Sequence, residues 1–460
     1  MKSDLFNSTN LQHKKRALRP TSFIALTFLV LIMIGTVLLT LPVSHNSGEF
    51  FPFVKAMFTA TSAVCVTGLA VADTLTEFSF FGQVVIILLI QLGGLGLMTI
   101  ATLLFIIAGK RITLKERLIL QEAYSQTDLS GLVRLTLKIA KYAFTLEGIG
   151  ALILALCFFK DYGFLQGLWM GVFHSISSFC NAGFDLVGTG SSLVTLYDRP
   201  VIILTTSLLI ILGGIGFMVI NDFFVHKKEH RKFSLHTKVA LFMTAFLLTF
   251  GTVGYCFLEW NNPNTMGNMS FLNKILSAFF QSVTARTAGF NSIPQGELTT
   301  VSKILTNSLM FIGASPGGTG GGIKTTTFFV VVAMFFAGAR GKEEIVAFKH
   351  SIKVKTALKS FSILVLGLLI VFTTTSIVYH FEQLVSVGVS YSDALFESFS
   401  AFGTVGLSVG ITPTLSDPSL ITIAFCMFLG RLGSLILGLI VVGNGHGLLI
   451  KYSDYKLIVG

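Results

Sequence analysis

Long uncharged apolar runs are the feature that most restricts how this chain can fold. Residues 21–42, 84–109 and 200–221 contain no Asp, Glu, Lys or Arg, and each exceeds the roughly 18 residues that mark a membrane-spanning helix. The whole chain is 52% hydrophobic and 12% charged, with a mean hydropathy of +0.79. A soluble core of this length could not bury so much apolar surface. The sequence therefore predicts an all-α polytopic membrane protein.

The positive charges indicate the orientation in the membrane. The net charge is +11, which could suggest nucleic-acid binding. Most of the 33 Lys and Arg residues, however, fall in the tails and in every second segment between the apolar runs, which places them on one side of the predicted bilayer. This is the positive-inside pattern. We therefore expect a multi-pass protein of the cell membrane with both termini in the cytoplasm and no nucleic-acid partner.

One pattern recurs four times along the chain: an apolar helix, an aromatic-rich segment too short to span, a glycine turn and a longer helix. The turns align on Gly68, Gly183, Gly289 and Gly406, at steps of 115, 106 and 117 residues. A second glycine follows each turn, at Gly93, Gly213, Gly317 and Gly430. Glycine is frequent in membrane helices because it permits close packing, but that alone does not explain two landmarks in a fourfold register.

This pattern predicts four membrane–pore–membrane repeats around one central pore, with eight transmembrane helices and four re-entrant pore loops. The eight predicted spans are 21–42, 78–108, 135–158, 198–225, 239–260, 301–336, 359–381 and 418–445. The repeats occupy 21–108, 135–225, 239–336 and 359–445. Cytoplasmic linkers are expected at 109–134, 226–238 and 337–358, and cytoplasmic tails at 1–20 and 446–460.

The four turns have the composition of an ion-selectivity filter. Irregular backbone at membrane depth must line a wet cavity or be buried in protein, and rings of backbone carbonyls can replace the hydration shell of a monovalent cation. No acidic residue precedes the glycines, which disfavours a divalent-selective ring, and Thr404, Val405 and Gly406 repeat the first three residues of the TVGYG filter. The predicted filter consists of Val66, Thr67, Gly68, Asn181, Ala182, Gly183, Thr287, Ala288, Gly289, Thr404, Val405 and Gly406.

The sixth predicted span is interrupted by a glycine-rich run at 313–324 that no stable helix should accept. A phosphate-binding P-loop is excluded because Ile323 stands where GxxxxGK[ST] needs glycine. A packing kink and a loop that crosses the pore below the filter remain, and we favour the loop, at 313–325, as a gate. The predicted gate consists of Gly313, Ala314, Ser315, Pro316, Gly317, Gly318, Thr319, Gly320, Gly321, Gly322, Lys324 and Arg431.

Three further polar residues lie in apolar surroundings. Arg431 would be costly facing lipid, so it either binds the carbonyls that end a pore helix or lines the pore beside the gate. Arg286 is expected to brace the filter from behind, and His174 to be structural. No nucleophile–base pair, paired carboxylates or metal-ligand spacing appears, so we predict neither an enzyme nor a bound metal beyond a transported ion.

These motifs give the chain a family resemblance. The turns VCVTGL, NAGF, RTAGFN and FGTVGLS, the stretch SPGGTGGGIKT and the segment LGRLGSL resemble the membrane subunit of the Trk/Ktr/HKT potassium transporter superfamily, most closely the Ktr type. The resemblance implies gated potassium uptake influenced by sodium, with 313–325 as the gating loop. It also implies a homodimer on a cytosolic ring of RCK-type subunits that bind ATP or ADP, with no cofactor on this chain itself.

Two other functions remain open from the residues. A secondary carrier with broken helices and alternating access is one, although carriers usually have two inverted halves rather than four repeats in one orientation. A membrane scaffold or sensor that binds ions without conducting them is the other.

Overall fold

The computed structural model describes residues 20–96, 99–100, 102–103, 106, 112–123, 131–188, 192–226, 232–342, 344–385 and 388–433. The first half contains α1 (Pro20–Thr40), α2 (Phe53–Cys65), α3 (Phe80–Leu95), α4 (Leu114–Ala123), α5 (Leu132–Tyr162), α6 (Phe164–Phe179), α7 (Pro200–Gly214) and α8 (Phe217–Val225). The second half contains α9 (Leu235–Glu259), α10 (Phe271–Thr284), α11 (Thr300–Phe311), α12 (Thr325–Ala339), β1 (Ile345–Ala347), β2 (His350–Ile352), α13 (Val354–Val385), α14 (Tyr391–Gly403) and α15 (Asp417–Leu432). The predicted tails, and the predicted last part of the eighth span, lie outside these residues.

Four of the described helices are long and apolar enough to cross a membrane: α1, α5, α9 and α13. Many of their large side chains are exposed and apolar, such as Leu156 at 69% and Phe257 at 86%. Such a surface suits lipid rather than water. These helices begin the four predicted repeats, and the protein is a helical, multi-pass membrane protein.

A half-length helix follows each long helix: α2, α6, α10 and α14. They have 13, 16, 14 and 13 residues, which at about 1.5 Å per residue is well short of a bilayer core of about 30 Å. Each buries at least one phenylalanine completely: Phe58 in α2, Phe173 and Phe179 in α6, Phe280 in α10 and Phe396 in α14. The half-length helices therefore form the interior of the protein.

The helices close into a ring. Each helix that follows a glycine turn packs against the half-length helix of the next unit: α3 on α6, α7 on α10, α11 on α14 and α15 on α2. The last contact joins the end of the described chain to its beginning. A cycle of this kind surrounds a common axis, and the C-terminal ends of the half-length helices meet on it.

Buried hydrogen bonds fix the outer corners of the units. Glu259, the last residue of α9, accepts from Thr299 N (2.9 Å) and Thr299 Oγ1 (2.8 Å), where α11 begins. Glu382 does the same for Ser416 N (3.0 Å) and Ser416 Oγ (2.7 Å), where α15 begins. In both units a carboxylate thus satisfies the free N–H groups at a helix start.

The fourth predicted span, 198–225, differs from the prediction of one continuous helix. It ends as α7 at Gly214 and restarts as α8 at Phe217, with a 90° bend between them. The sixth, 301–336, is divided into α11 and α12 at the glycine-rich run 313–324, where the sequence predicts a break. An antiparallel β1–β2 hairpin lies in the predicted linker 337–358.

Candidate functional site

The four glycine turns, at 66–68, 181–183, 287–289 and 404–406, share one backbone conformation. The first residue of each has a positive φ: 59° at Val66, 61° at Asn181, 73° at Thr287 and 49° at Thr404. The glycines also have positive φ, from 72° to 94°, whereas the residue between does not. Alternation of left- and right-handed dihedrals turns consecutive carbonyl oxygens toward the same side of the chain. Glycine adopts such a φ without a steric cost.

The turns meet in a closed ring of glycines. A Cβ built on Gly68 would lie 3.0 Å from the Cα of Gly183, and the same distance is 2.9 Å from Gly183 to Gly289, 3.2 Å from Gly289 to Gly406 and 3.0 Å from Gly406 to Gly68. Each such Cβ would also collide with the carbonyl oxygen that precedes the next glycine: Ala182, Ala288, Val405 and Thr67. The ring therefore has no room for side chains, and backbone lines it.

Buried hydroxyls hold the turns from behind. Ser62 Oγ accepts from Gly68 N (3.0 Å), and Ser400 Oγ accepts from Gly406 N (3.0 Å). In the other two turns the hydroxyl donates instead, from Ser177 to Phe184 O (2.7 Å) and from Thr284 to Phe290 O (2.7 Å). These residues are absent from the predicted site, although a Ser or Thr stands five or six positions before each glycine in the sequence.

The residues between α11 and α12, which we call the crossing loop (312–324), leave the helix axis and return to it. Gly313 N donates to Ile323 O (2.8 Å) and Ile323 N donates to Phe311 O (3.3 Å), so the two ends of the loop are joined. Ser315 and Thr319 are fully buried. The predicted gate residues 313–322 and Lys324 thus belong to one compact, buried segment.

The crossing loop lies against three of the four turns. Thr319 Oγ1 donates to Phe179 O (3.1 Å) and is 3.3 Å from the side-chain amide of Asn181. Gly321 N donates to Thr404 Oγ1 (3.0 Å). Gly320 packs so closely on Thr287 that a Cβ would collide with its Oγ1. The loop is therefore joined to the first residues of turns two, three and four.

The bend between α7 and α8 is caused by the same loop. Ser315 N donates to Gly214 O (3.0 Å), Thr319 N donates to Gly213 O (3.1 Å) and Phe217 N donates to Gly317 O (2.9 Å). These carbonyls and this N–H would otherwise continue the helix. The loop replaces the intrahelical bonds, so the helix can change direction at Gly216, whose φ is 97°.

Two cationic side chains fasten the crossing loop. Arg431 donates to Thr319 O in the loop and to Gly93 O in α3, and its guanidinium lies 5.9 Å from the ring centre of Phe28. Lys324 Nζ donates to Gly320 O (2.7 Å). Two positions were open for Arg431: at the carbonyls that end a half-length helix, or beside the loop. Its observed partners favour the position beside the loop.

The second glycine of the repeat has the same packing role in units one, two and four. The prediction is wrong for unit three. Gly93, Gly213 and Gly430 press on the carbonyls of Val64, Phe179 and Phe402, each four residues before its ring glycine. Gly317, by contrast, has nothing within 4 Å of a built Cβ. Because α11 ends at Phe311, this part of the third unit is loop, and Gly317 serves its left-handed turn (φ 71°).

The sequence profile of the TrkH family, described as a cation transport protein, matches residues 2–442. The chain belongs to the TrkH family. Within it, the chain is of the Ktr type, which confirms the resemblance found in the sequence. TrkH proteins are transport proteins, and the described residues contain no cluster of His, Cys, Asp or Glu that could hold a metal ion.

Two curated members of the TrkH family match almost end to end. The chain is 38% identical over 449 residues to the potassium/sodium uptake protein NtpJ of Enterococcus hirae, covering 97% of this chain and 98% of that protein. It is 41% identical over 416 residues to the Ktr system potassium uptake protein B of Bacillus subtilis, covering 90% and 91%. The crystal structure of the potassium transporter TrkH from Vibrio parahaemolyticus shares the fold, with a TM-score of 0.70, 17% identity and 93% and 86% coverage.

Two polar residues near turn two, His174 and Asp185, have different surroundings. The ring of His174 bonds backbone groups, Met170 O (2.8 Å) and Leu186 N (3.4 Å), which agrees with a structural role. Asp185 follows turn two in the loop after α6. The pKa of its carboxyl is raised to about 6, chiefly by burial; the charge of Asp73 acts in the same direction, and a hydrogen bond from Val187 N acts against it.

Proposed function

We propose that this protein takes up potassium ions through a gated, channel-like pore whose selectivity filter is the ring of four glycine turns. The observation that carries the proposal is the ring itself. Its four glycines succeed one another in chain order, and the carbonyl before each glycine lies against the glycine of the preceding unit. Backbone oxygens from four sides of one axis can replace the water around a dehydrated cation.

Potassium is the cation that this ring fits best. The twelve turn residues, which are the predicted filter, include no carboxylate, so the ring supplies oxygens of modest field strength rather than a site that would hold a divalent ion. The two curated relatives are a potassium/sodium uptake protein and a potassium uptake protein. Sodium is therefore the competing or activating ion for this chain.

The crossing loop, Lys324 and Arg431 form the gate in this proposal. The loop is hydrogen-bonded to turns two and four and packs on turn three, so it stands in the path of an ion that leaves the ring. To open, it must break its hydrogen bonds to Asn181, Thr404 and Arg431, and also those to Phe179, Gly213, Gly214 and Phe217 if the whole loop moves. Each is worth about 1 kcal/mol, or somewhat more where Arg is the donor, so opening needs an outside signal of several kcal/mol.

The architecture proposed with this function is the predicted one: eight spans and four re-entrant loops in four repeats. Four long helices begin the units, and four half-length helices end at the turns. Short and interrupted helices supply the second span of each repeat. Such broken helices are tolerated in a membrane when they line a water-filled space.

Flux in liposomes tests the function. Purified protein is reconstituted with potassium inside, and rubidium uptake is followed with and without sodium or proton gradients. We expect rubidium to enter down its own electrochemical gradient without either gradient, while protein-free liposomes stay silent. Uptake that strictly requires a sodium or proton gradient would favour the alternating-access carrier, and binding without flux would favour a sensor.

A further inference from the structure

A buried arginine lies behind turn three, beside the crossing loop. Arg286 follows α10 and is 8% exposed. Its Nη1 donates to Thr244 O at 3.5 Å, the limit of a hydrogen bond. Its Nε has no partner among the described residues, and no carboxylate in the described part of the chain forms an ion pair with it. An arginine remains charged in proteins, so the charge of Arg286 has no counter-charge among the described residues.

A cavity lies next to this charge. Its volume is about 20 Å³, measured as the space open to the centre of a water-sized sphere, which is enough for one small ion or water molecule. Arg286 and Thr244 line it together with Gly214 of the α7–α8 bend and Ala314 of the crossing loop. The remaining wall consists of aliphatic side chains from α7, α9 and α10. Thr244 is 7% exposed, and its Oγ1 also has no partner among the described residues.

We propose that this cavity binds a small inorganic anion of the size of a halide. A guanidinium and a hydroxyl are both hydrogen-bond donors, and the aliphatic wall offers neither acceptors for a cation nor further donors for a large oxyanion. A water molecule could accept the same hydrogen bonds but would leave the charge of Arg286 uncompensated, and a buried charge needs a counter-charge. The anion supplies it.

The position gives the site a consequence for transport, which rests on the proposed function. Arg286 directly precedes Thr287 and Ala288, whose carbonyls belong to turn three. An unscreened positive charge there would weaken cation binding in the ring. The bound anion removes this repulsion, so potassium uptake depends on the halide present.

Bromide tests the site without any measurement of transport. The full-length protein is crystallised with bromide in place of chloride, and anomalous scattering is collected at the bromine edge. We expect a peak beside the guanidinium of Arg286 and the hydroxyl of Thr244. A cavity that is empty or contains only water in such crystals would overturn the proposal.

Thermal unfolding in detergent gives the affinity. Sodium bromide replaces sodium gluconate in steps at constant ionic strength. The midpoint temperature of unfolding is expected to rise with the bromide concentration. Thr244→Val, which removes one hydrogen bond and keeps the charge, should weaken bromide binding about tenfold. Thr252→Val on the same helix is the matched control, because Thr252 Oγ1 already donates to Leu248 O (2.7 Å). Equal midpoints in the two salts for the wild type would contradict the site.

Transport separates the two proposals. If bromide binds and gluconate lowers rubidium flux, both the site and its effect on the pore stand. If bromide binds but the wild type conducts no rubidium in any salt, the pore proposal fails and the anion site does not. If bromide binds and flux is equal in both salts, the effect on the ring is wrong.

Discussion

At the scale of single residues, the ring glycines are fixed by two independent constraints. Gly289 has a φ of 79°, and a Cβ on it would lie 2.5 Å from Val405 O and 3.2 Å from the Cα of Gly406. The backbone conformation alone costs a residue other than glycine about 1–2 kcal/mol. The collision must also be relieved by moving a neighbouring carbonyl, which is one of the proposed ion ligands.

We predict that Gly289→Ser lowers the preference for potassium over sodium by at least about tenfold, since about 1.4 kcal/mol of strain corresponds to that factor. Gly68→Ser should act in the same direction. The measurement is competitive rubidium and sodium uptake in liposomes. Gly148→Ser is the control, because Gly148 is exposed on α5 and a Cβ there meets nothing within 4 Å. Unchanged ion preference in Gly289→Ser would show that turn three is not part of the filter.

Asp185 gives the pore an expected pH dependence. Its pKa is raised to about 6, so the carboxyl is charged at neutral pH and becomes neutral as the external pH falls through 6. The charged form lies two residues beyond Gly183 and attracts cations to the ring. We predict that potassium uptake falls about threefold between pH 7.5 and 5. The folded protein binds this proton more tightly than the unfolded chain, so folding stability should increase over the same interval.

The variant Asp185→Asn should take up potassium at a low rate that no longer changes between pH 7.5 and 5. Glu49→Gln, in the exposed loop after α1, is the control and should keep the wild-type profile. A wild-type profile in Asp185→Asn would assign the pH dependence to another group.

At the scale of elements, the crossing loop is a short segment that hydrogen bonds to α7, α8, two of the turns and Arg431 hold in its closed position. Arg431 connects it to α3 through Thr319 O and Gly93 O. Hydrogen bonds from a charged donor contribute about 1.5–3 kcal/mol each. The loop has flexible glycines on both sides of Thr319, so it has little intrinsic preference for the closed position once these bonds are lost.

We predict that Arg431→Ala raises rubidium flux about tenfold, because the loss of about 1.4 kcal/mol from the closed state shifts the open population by that factor. Shortening the loop between Gly317 and Gly322 should raise flux as well. Arg134→Ala, at an exposed arginine of α5, is the control. Unchanged or reduced flux, with normal expression and a normal unfolding midpoint, would contradict the gate.

The sequence predicted the elements that depend on local composition. The half-length helices, their glycine turns and the break at 313–324 all follow from residues that can form no other local structure. The bend at Gly216 could not be predicted, because it depends on bonds from Ser315, Phe217 and Thr319, whose partners are about 100 residues apart. Gly317 was assigned to a packing landmark because its spacing fitted, whereas its conformation depends on where α11 ends.

The site shows the same division. The ring glycines could be recognised because they recur at the same place in all four repeats. The joining of Asn181, Thr287 and Thr404 to the crossing loop could not, because it depends on how the units are arranged around the axis. The cavity beside Arg286 is likewise visible only after four elements have packed together.

At the scale of the whole molecule, the basic linkers that are predicted to be cytoplasmic are the expected surface for a regulatory partner. The resemblance to Ktr-type subunits suggests a homodimer that sits on an RCK-type ring. In the linker 337–358, two basic residues, Arg340 and Lys342, follow α12 and are exposed. Because α12 begins at the crossing loop, a partner bound at Arg340 could act on the gate through one helix.

We predict that the protein copurifies with an RCK-type subunit and that ATP and ADP then change flux in opposite directions. The double variant Arg340→Glu and Lys342→Glu should retain much less of the ring, because the charge of the surface is reversed. Lys160→Glu, at the exposed outer end of α5, should retain it fully. A pore that is fully active alone, keeps no ring subunit and ignores both nucleotides would contradict this arrangement.

The closed ring of glycines affects how mutations can change the pore during evolution. In a pore assembled from four copies of one short polypeptide, a single mutation appears at every position around the axis at once. Here one chain contains all four turns, so a mutation alters one turn and leaves the other three unchanged. The first residues of the four turns already differ from one another: they are Val66, Asn181, Thr287 and Thr404. Selection can therefore change the pore one turn at a time, through asymmetric intermediates that a symmetric tetramer cannot encode.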